Sequence, residues 1–162
     1  MFFVILLLIL IPSYFAWTAI HELSHLAMFR SFRKLVGVDI KLYPHKDKLG
    51  YFVWSSVYAV PLGAPITANE DAAIKLAPRI PGFIALILFA ISGVITNSIL
   101  LPIWLGFWGC GVFDFIYGSI GVTSESDLQS ASRDLSISPW ILRCSGIGLG
   151  LASIISMLVW VL

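Results

Sequence analysis

Two histidines and a glutamate interrupt the first apolar segment of the chain, where residues 21 to 25 read His-Glu-Leu-Ser-His. On an α-helix, residues four apart lie about 40° apart around the axis, so His21 and His25 project from one face, one turn apart. Two imidazoles placed in this way can share one metal ion. Glu22 lies about 100° round from His21 and can reach a water held by that ion without binding the ion itself. The H-E-x-x-H spacing therefore predicts a zinc site with His21 and His25 as ligands and Glu22 as the general base.

The apolar setting of this motif strengthens the metal hypothesis. Residues 1 to about 29 otherwise have the composition of a membrane helix, and a charged group at the middle of such a helix costs about 2.5 kcal/mol or more. Hydrogen bonds to neighbouring helices are the alternative use of these side chains. Three ionisable groups in five residues favour a functional cavity, because burial without a function would carry that cost three times.

The composition of the chain is that of an integral membrane protein. Hydrophobic residues make up 59% of the 162 residues and charged residues 12%, whereas a soluble domain carries about a quarter charged residues. The mean hydropathy of +0.95 agrees. We expect a single membrane-embedded domain over residues 1–162, surrounded by the lipid bilayer. Basic and aromatic residues form no pattern typical of nucleic-acid binding, so we expect no nucleic-acid partner.

Four apolar stretches predict a mainly α-helical, multi-pass membrane fold. The first is not expected to be a cleaved signal, because it lacks a basic leading region and continues into the motif. All ten Lys and Arg residues fall in or beside residues 30–79 and 123–143, which the positive-inside rule places in the cytoplasm. Both termini are then outside, and the active site faces the cytoplasmic side. The predicted spans cover about residues 1–29, 80–97, 100–120 and 139–162.

A short β-hairpin is predicted as an insert after the first span, over about residues 36–60. Every second residue from Val36 to Leu42 is apolar and branched, and residues 44–50 contain proline and glycine. Tyr51 to Val60 is rich in aromatic and β-branched residues. The edge of this hairpin could pair with an extended substrate as an added strand, or the hairpin could simply pack beneath the helices. The sequence leaves both roles open.

Two further stretches predict local structure without evident chemistry. Residues 61–78 are rich in proline and predict a linker with one or two helical turns that start near Asn69. Gly146 and Gly150 form a G-x-x-x-G pair in the fourth span. We interpret this pair as close helix packing within the chain, with dimerisation as the alternative.

A catalytic zinc requires a third protein ligand and an open position for water. With the spans predicted above, the end of the third span and the residues after it lie at the same membrane face as the motif. Asp127 lies three residues after Ser124, which could cap a short helix and orient its first turn. Asp114 lies about six residues inside the third span, at a depth similar to that of the histidines. Spacing alone does not separate these two candidates, whereas Asp134 is expected to be solvated.

Several stretches together resemble the zincin-type integral membrane metallopeptidases related to the site-two protease superfamily. They are residues 19–26 with the motif, the hairpin, Leu76-Ala77-Pro78, and residues 124–128 followed by Pro139, so the resemblance spans most of the chain. In those proteins an aspartate in a stretch similar to Ser-x-x-Asp-Leu supplies the third ligand, which implies Asp127 here. The Asn-x-x-Pro and Leu-Asp-Gly stretches of site-two proteases proper do not occur in this sequence.

The motif and the resemblance together predict a zinc-dependent metalloendopeptidase with one Zn²⁺ per chain, which hydrolyses peptide bonds of membrane-bound protein or peptide substrates. Imidazole and carboxylate ligands also suit other divalent metals. Two alternatives belong to another class of protein. One is a non-hydrolytic carrier that passes divalent ions along His21, His25, Glu22 and Asp114, although no internal repeat typical of carriers is visible. The other is an adaptor that binds membrane segments.

Overall fold

The computed structural model describes residues 2–47, 50, 52–92, 100–120 and 126–161 of the chain. Within these residues the chain forms helices with a small antiparallel sheet after the first helix. The elements are α1 (Phe2–Phe32), β1 (Lys34–Lys41), β2 (His45–Lys46), β3 (Phe52–Val53), β4 (Ser56–Leu62), α2 (Ala68–Leu76), α3 (Arg79–Ser92), α4 (Leu100–Ile120), α5 (Asp127–Asp134) and α6 (Pro139–Val161).

Three helices among the described residues, α1, α4 and α6, are long and apolar enough to cross a membrane. The mainly helical fold is confirmed, and three such helices are consistent with a membrane protein, whereas the predicted fourth span is not confirmed. Over the predicted second span, the described residues of α3 run from Arg79 to Ser92. The end of that predicted span, residues 93–97, lies outside the described residues.

The helices α1 and α4 run parallel, side by side. Gly106 lies against Ser13 and Gly111 lies against the Trp17 ring, so the contact positions advance along both helices together. Glycine allows this approach because a side chain at either position would press on its neighbour. The chain between α1 and α4 must therefore return to the end of the molecule at which α1 began.

The β-hairpin is confirmed, with an antiparallel pair that runs from Lys41 opposite Ser56 to Lys34 opposite Leu62. A smaller pair, β2 with β3, extends it toward the turn. Gly50, in that turn, has a φ of 87°, which glycine adopts without strain. The hairpin contains the predicted residues 36–60 and places the segment between β3 and β4 beside α1.

The helix α2 is longer than the one or two turns predicted for this stretch. Thr67 caps its first turn by accepting a hydrogen bond from the Glu70 backbone, and the Glu70 carboxylate accepts one from the Thr67 backbone. The same carboxylate pairs with Arg33 at 2.9 Å. These contacts attach the start of α2 to the end of α1.

The helix α5 begins at Asp127 because Ser126 caps it, with its hydroxyl accepting a hydrogen bond from the Gln129 backbone at 3.4 Å. The sequence had suggested Ser124 as the cap, but Ser124 lies outside the described residues. A hydrogen bond from Arg143 Nη2 to Gln129 Oε1, at 2.9 Å, joins α5 to α6.

The G-x-x-x-G pair of α6 packs against α4 within the chain. A Cβ at Gly146 would clash with Ser119 Oγ, and one at Gly150 would lie 2.7 Å from Ile116 Cγ1. The contacts run in opposite order along the two helices, so α6 is antiparallel to α4. Close packing within one chain accounts for these glycines without a second copy.

We predict that Gly146→Leu lowers the free energy of unfolding in detergent by about 1–3 kcal/mol, because the side chain overfills the contact with α4. Gly148→Leu is the matched control, since nothing lies within 4 Å of a Cβ there. Equilibrium unfolding measures both. Equal stabilities, or a fall in oligomer mass in Gly146→Leu alone, would contradict packing within the chain.

Candidate metal centre

The helix α1 places the two histidine rings of the motif side by side. Their centroids are 5.1 Å apart, and the His25 side chain is 10% exposed against 20% for His21. One helical turn of separation produces this arrangement, as the spacing of four residues predicts. Both rings face neighbouring elements of the chain.

Each ring has one nitrogen held by an acceptor from a different element. His21 Nδ1 donates to the Asp114 carboxylate on α4, 3.2 Å from Oδ1 and 3.3 Å from Oδ2. His25 Nδ1 donates to the Ile74 carbonyl oxygen at the end of α2, at 2.7 Å. A carbonyl and a carboxylate have no proton to give, so Nδ1 carries the hydrogen in both rings. The Nε2 lone pairs of the neutral rings are left available to a metal.

Both Nε2 atoms face the same carboxylate at the start of α5. Asp127 Oδ2 lies 3.3 Å from His25 Nε2 and 3.9 Å from His21 Nε2. One donor atom from each of the three residues lies within 4.8 Å of the others. Ligands on one tetrahedral zinc, with bonds of about 2.0–2.1 Å, lie about 3.3–3.4 Å apart. The group His21, His25 and Asp127 could therefore hold a metal ion.

The environment of Asp127 favours its charged form. Partial burial alone would raise the pKa of Asp127. When both rings are protonated, hydrogen bonds from His21 Nε2–H and His25 Nε2–H and the positive charge of the rings hold the pKa of Asp127 well below its usual range. Asp127 is therefore a carboxylate at neutral pH, which is the form that binds a metal.

Asp114, the other candidate for the third ligand, occupies a different position. Its carboxylate accepts a hydrogen bond from His21 Nδ1, the ring nitrogen that points away from Asp127. Support of this kind fixes the tautomer and orientation of a metal-binding histidine. Arg79 donates to the backbone carbonyl of Asp114 at 3.4 Å and so adds positive charge nearby.

Glu22 is buried beside the histidines, with 3% of its surface exposed. Its Oε1 accepts a hydrogen bond from the hydroxyl of Ser55, which lies between β3 and β4. Oε2 is not part of this hydrogen bond. The hairpin thus holds the carboxylate that the motif singles out as a general base.

These groups line a single cavity of about 760 Å³ between α1, α4, the start of α5 and the hairpin. Aromatic rings surround one part of it: Trp54 lies 6.0 Å from Tyr14 and 6.1 Å from Phe113 by ring centroids. The hairpin residues 52–59 line the same cavity. A chain segment could therefore reach the histidines from the hairpin side.

Three contributors to the site have no motif in the sequence. The Ile74 carbonyl and the Ser55 hydroxyl act through their positions in the fold, which no local pattern reveals. Lys75 binds Asp134 at 3.0 Å, so Asp134 is not the solvated residue that was expected. The only signal for Lys75 was the spacing of four from Asp71, which is typical of a helical ion pair.

Compared with protein-family models, curated proteins and solved structures, the chain matches none. The functional interpretation therefore depends on the residues and geometry of this chain.

We predict that Asp127→Asn weakens binding of Zn²⁺ more than Asp114→Asn does, because the first change alters a donor and the second a supporting contact. For Asp114→Asn we expect a loss of about 10- to 100-fold. Competition with a chromophoric chelator measures both affinities in detergent. Wild-type affinity in Asp127→Asn would exclude this residue as a ligand, and a larger loss in Asp114→Asn would exchange the two roles.

Proposed function

We propose that this chain is a zinc-dependent metalloendopeptidase that hydrolyses peptide bonds of membrane-bound proteins or peptides. The observation that carries the proposal is the convergence of His21 Nε2, His25 Nε2 and the Asp127 carboxylate, with the buried Glu22 on the next position of the same helix. A metal site with a carboxylate beside it is the arrangement that hydrolysis requires. The resemblance to zincin-type membrane peptidases leads to the same reaction.

In this proposal His21, His25 and Asp127 hold Zn²⁺, which supplies a Lewis acid that activates water and polarises the scissile carbonyl. Glu22 accepts the proton of the attacking water as its oxygen adds to the carbonyl carbon. The same carboxylic acid then gives that proton to the leaving amine as the C–N bond breaks. Ser55 holds Oε1 of Glu22, and in this proposal Oε2 takes and returns the proton.

The hairpin provides a surface for an extended substrate. Backbone carbonyls in a helical substrate are already hydrogen-bonded, so cleavage requires an unwound segment whose backbone groups find new partners. β4 pairs with β1 along one edge, while residues 52–59 line the cavity. An added strand along the cavity side would meet this requirement beside the metal centre.

The helix directions support the proposed orientation in the membrane. Because α4 is parallel to α1 and α6 is antiparallel to α4, both chain ends lie at the end of the bundle away from the metal centre. We assign the intervening crossing to the stretch of chain that begins with α3. By the positive-inside rule, the basic residues near the metal centre favour the cytoplasm for that end, and both termini are outside in this proposal.

We predict that Glu22→Gln keeps wild-type zinc content but loses cleavage by at least about 100-fold, because the amide cannot take the proton. The assay uses proteoliposomes with a panel of single-span peptides, with products identified by mass spectrometry. A zinc chelator should abolish wild-type cleavage. Cleavage retained at full zinc occupancy would remove Glu22 from the mechanism, and zinc flux without cleavage would favour the carrier instead.

A pair of proline substitutions tests the strand edge. Neighbouring residues in a strand point their N–H groups to opposite edges. Of the two variants Val57→Pro and Tyr58→Pro, one therefore removes an N–H group that faces β1, and the other removes an N–H group that faces the cavity. We expect the cavity-side variant to keep its thermal stability and zinc affinity and to cleave at least about 10-fold more slowly, since proline removes a donor. Unchanged cleavage in both folded variants would contradict pairing at this edge.

A further inference from the structure

Two consecutive residues in the last turn of α2 contact the residues and the helix that form the metal centre. The Ile74 carbonyl accepts the hydrogen bond from His25 Nδ1. Lys75, the next residue, extends toward α5, whose first residue is Asp127. The Ile74 backbone thus orients His25, and the Lys75 side chain contacts α5, the helix that carries Asp127.

All three hydrogens of the Lys75 ammonium have an acceptor. Lys75 Nζ lies 2.5 Å from Ser130 Oγ and 3.0 Å from Asp134 Oδ2, and it also donates to Asp71 Oδ2 on its own helix. An ammonium group has three donors, so this set is complete. Burial alone would lower the pKa of Lys75, but hydrogen bonds to Asp71 and Asp134 and their charges outweigh it and raise it. Lys75 therefore stays charged.

The two α5 partners of Lys75 lie on the helix face that presents the metal donor. Asp127, Ser130 and Asp134 are spaced by three and four residues, which places them on one side of a helix. That side is packed closely against α2, where Ala131 is 0% exposed and Ala72 is 1% exposed. A shift or roll of α5 that broke the Lys75 contacts would also move Asp127 away from His25.

We propose that Lys75 is a positioning residue for the metal centre: it fixes α5 on α2 so that the Asp127 carboxylate meets the two histidine Nε2 atoms. Two negative charges, Asp71 and Asp134, share this one ammonium. Without it the carboxylates repel each other across the α2–α5 contact and separate the helices. The inference rests on the metal site of the proposed function and not on peptide hydrolysis.

Zinc affinity and the visible absorption of bound Co²⁺ in the purified chain test this role. We expect Lys75→Met to lower zinc affinity about 10- to 100-fold, the range for supporting contacts around metal ligands, and to weaken the Co²⁺ bands as the Asp127 ligand is lost. Lys75→Arg keeps the charge and should retain most of the affinity. The matched control is Lys46→Met, the same change at an exposed position of the hairpin.

The single variant Asp134→Asn provides a second test that does not depend on the folding of Lys75→Met. Asp134→Asn alone should lower zinc affinity several-fold. In the double variant, Asp134→Asn should restore part of the zinc affinity that Lys75→Met loses, because the Asp134 carboxylate left without its ammonium partner is gone. Unchanged affinity and Co²⁺ spectrum in Lys75→Met and in Asp134→Asn, even with a lower melting temperature, would overturn the proposal. Zinc binding by the wild type without peptide cleavage would instead count against the proposed reaction only, and a wild type that binds no zinc would overturn both.

Discussion

The central constraint on this structure is the cost of placing imidazoles and a carboxylate inside an apolar helix. Lipid offers no hydrogen bonds, so each ring nitrogen needs a partner from the protein. The structure meets this need with Asp114 and the Ile74 carbonyl at the two Nδ1 atoms. The remaining nitrogens point at one carboxylate, Asp127. A bound cation would complete the arrangement, because it satisfies two lone pairs and a negative charge together.

This constraint determines what the other elements must do. α4 runs parallel to α1 and so brings Asp114 to the depth of His21, while glycines at 106 and 111 let the helices approach. The polar helices α2 and α5 close the site from one end and supply the Ile74 carbonyl and Asp127. The hairpin supplies Ser55 to Glu22. Each polar group of the site is thus held by an element distant in sequence.

Part of this arrangement could be predicted from the sequence and part could not. The spacing of His21 and His25 and the alternation in the hairpin are local patterns, and they predicted the shared helix face and the antiparallel pair. Asp127 and Asp114 could not be ranked by spacing, because their distances from the histidines depend on helix packing across about 90 to 100 residues of chain. Lys75 was missed because its partners Ser130 and Asp134 are close only after α5 packs on α2.

Zinc K-edge X-ray absorption on the purified chain, together with zinc content per chain, tests the central claim most directly. The account predicts one zinc per chain in a shell of nitrogen and oxygen only, at about 2.0–2.2 Å, with the outer-shell scattering of two imidazole rings. A chain that retains no zinc, or a zinc bound by one imidazole or by a cysteine sulfur, would contradict it.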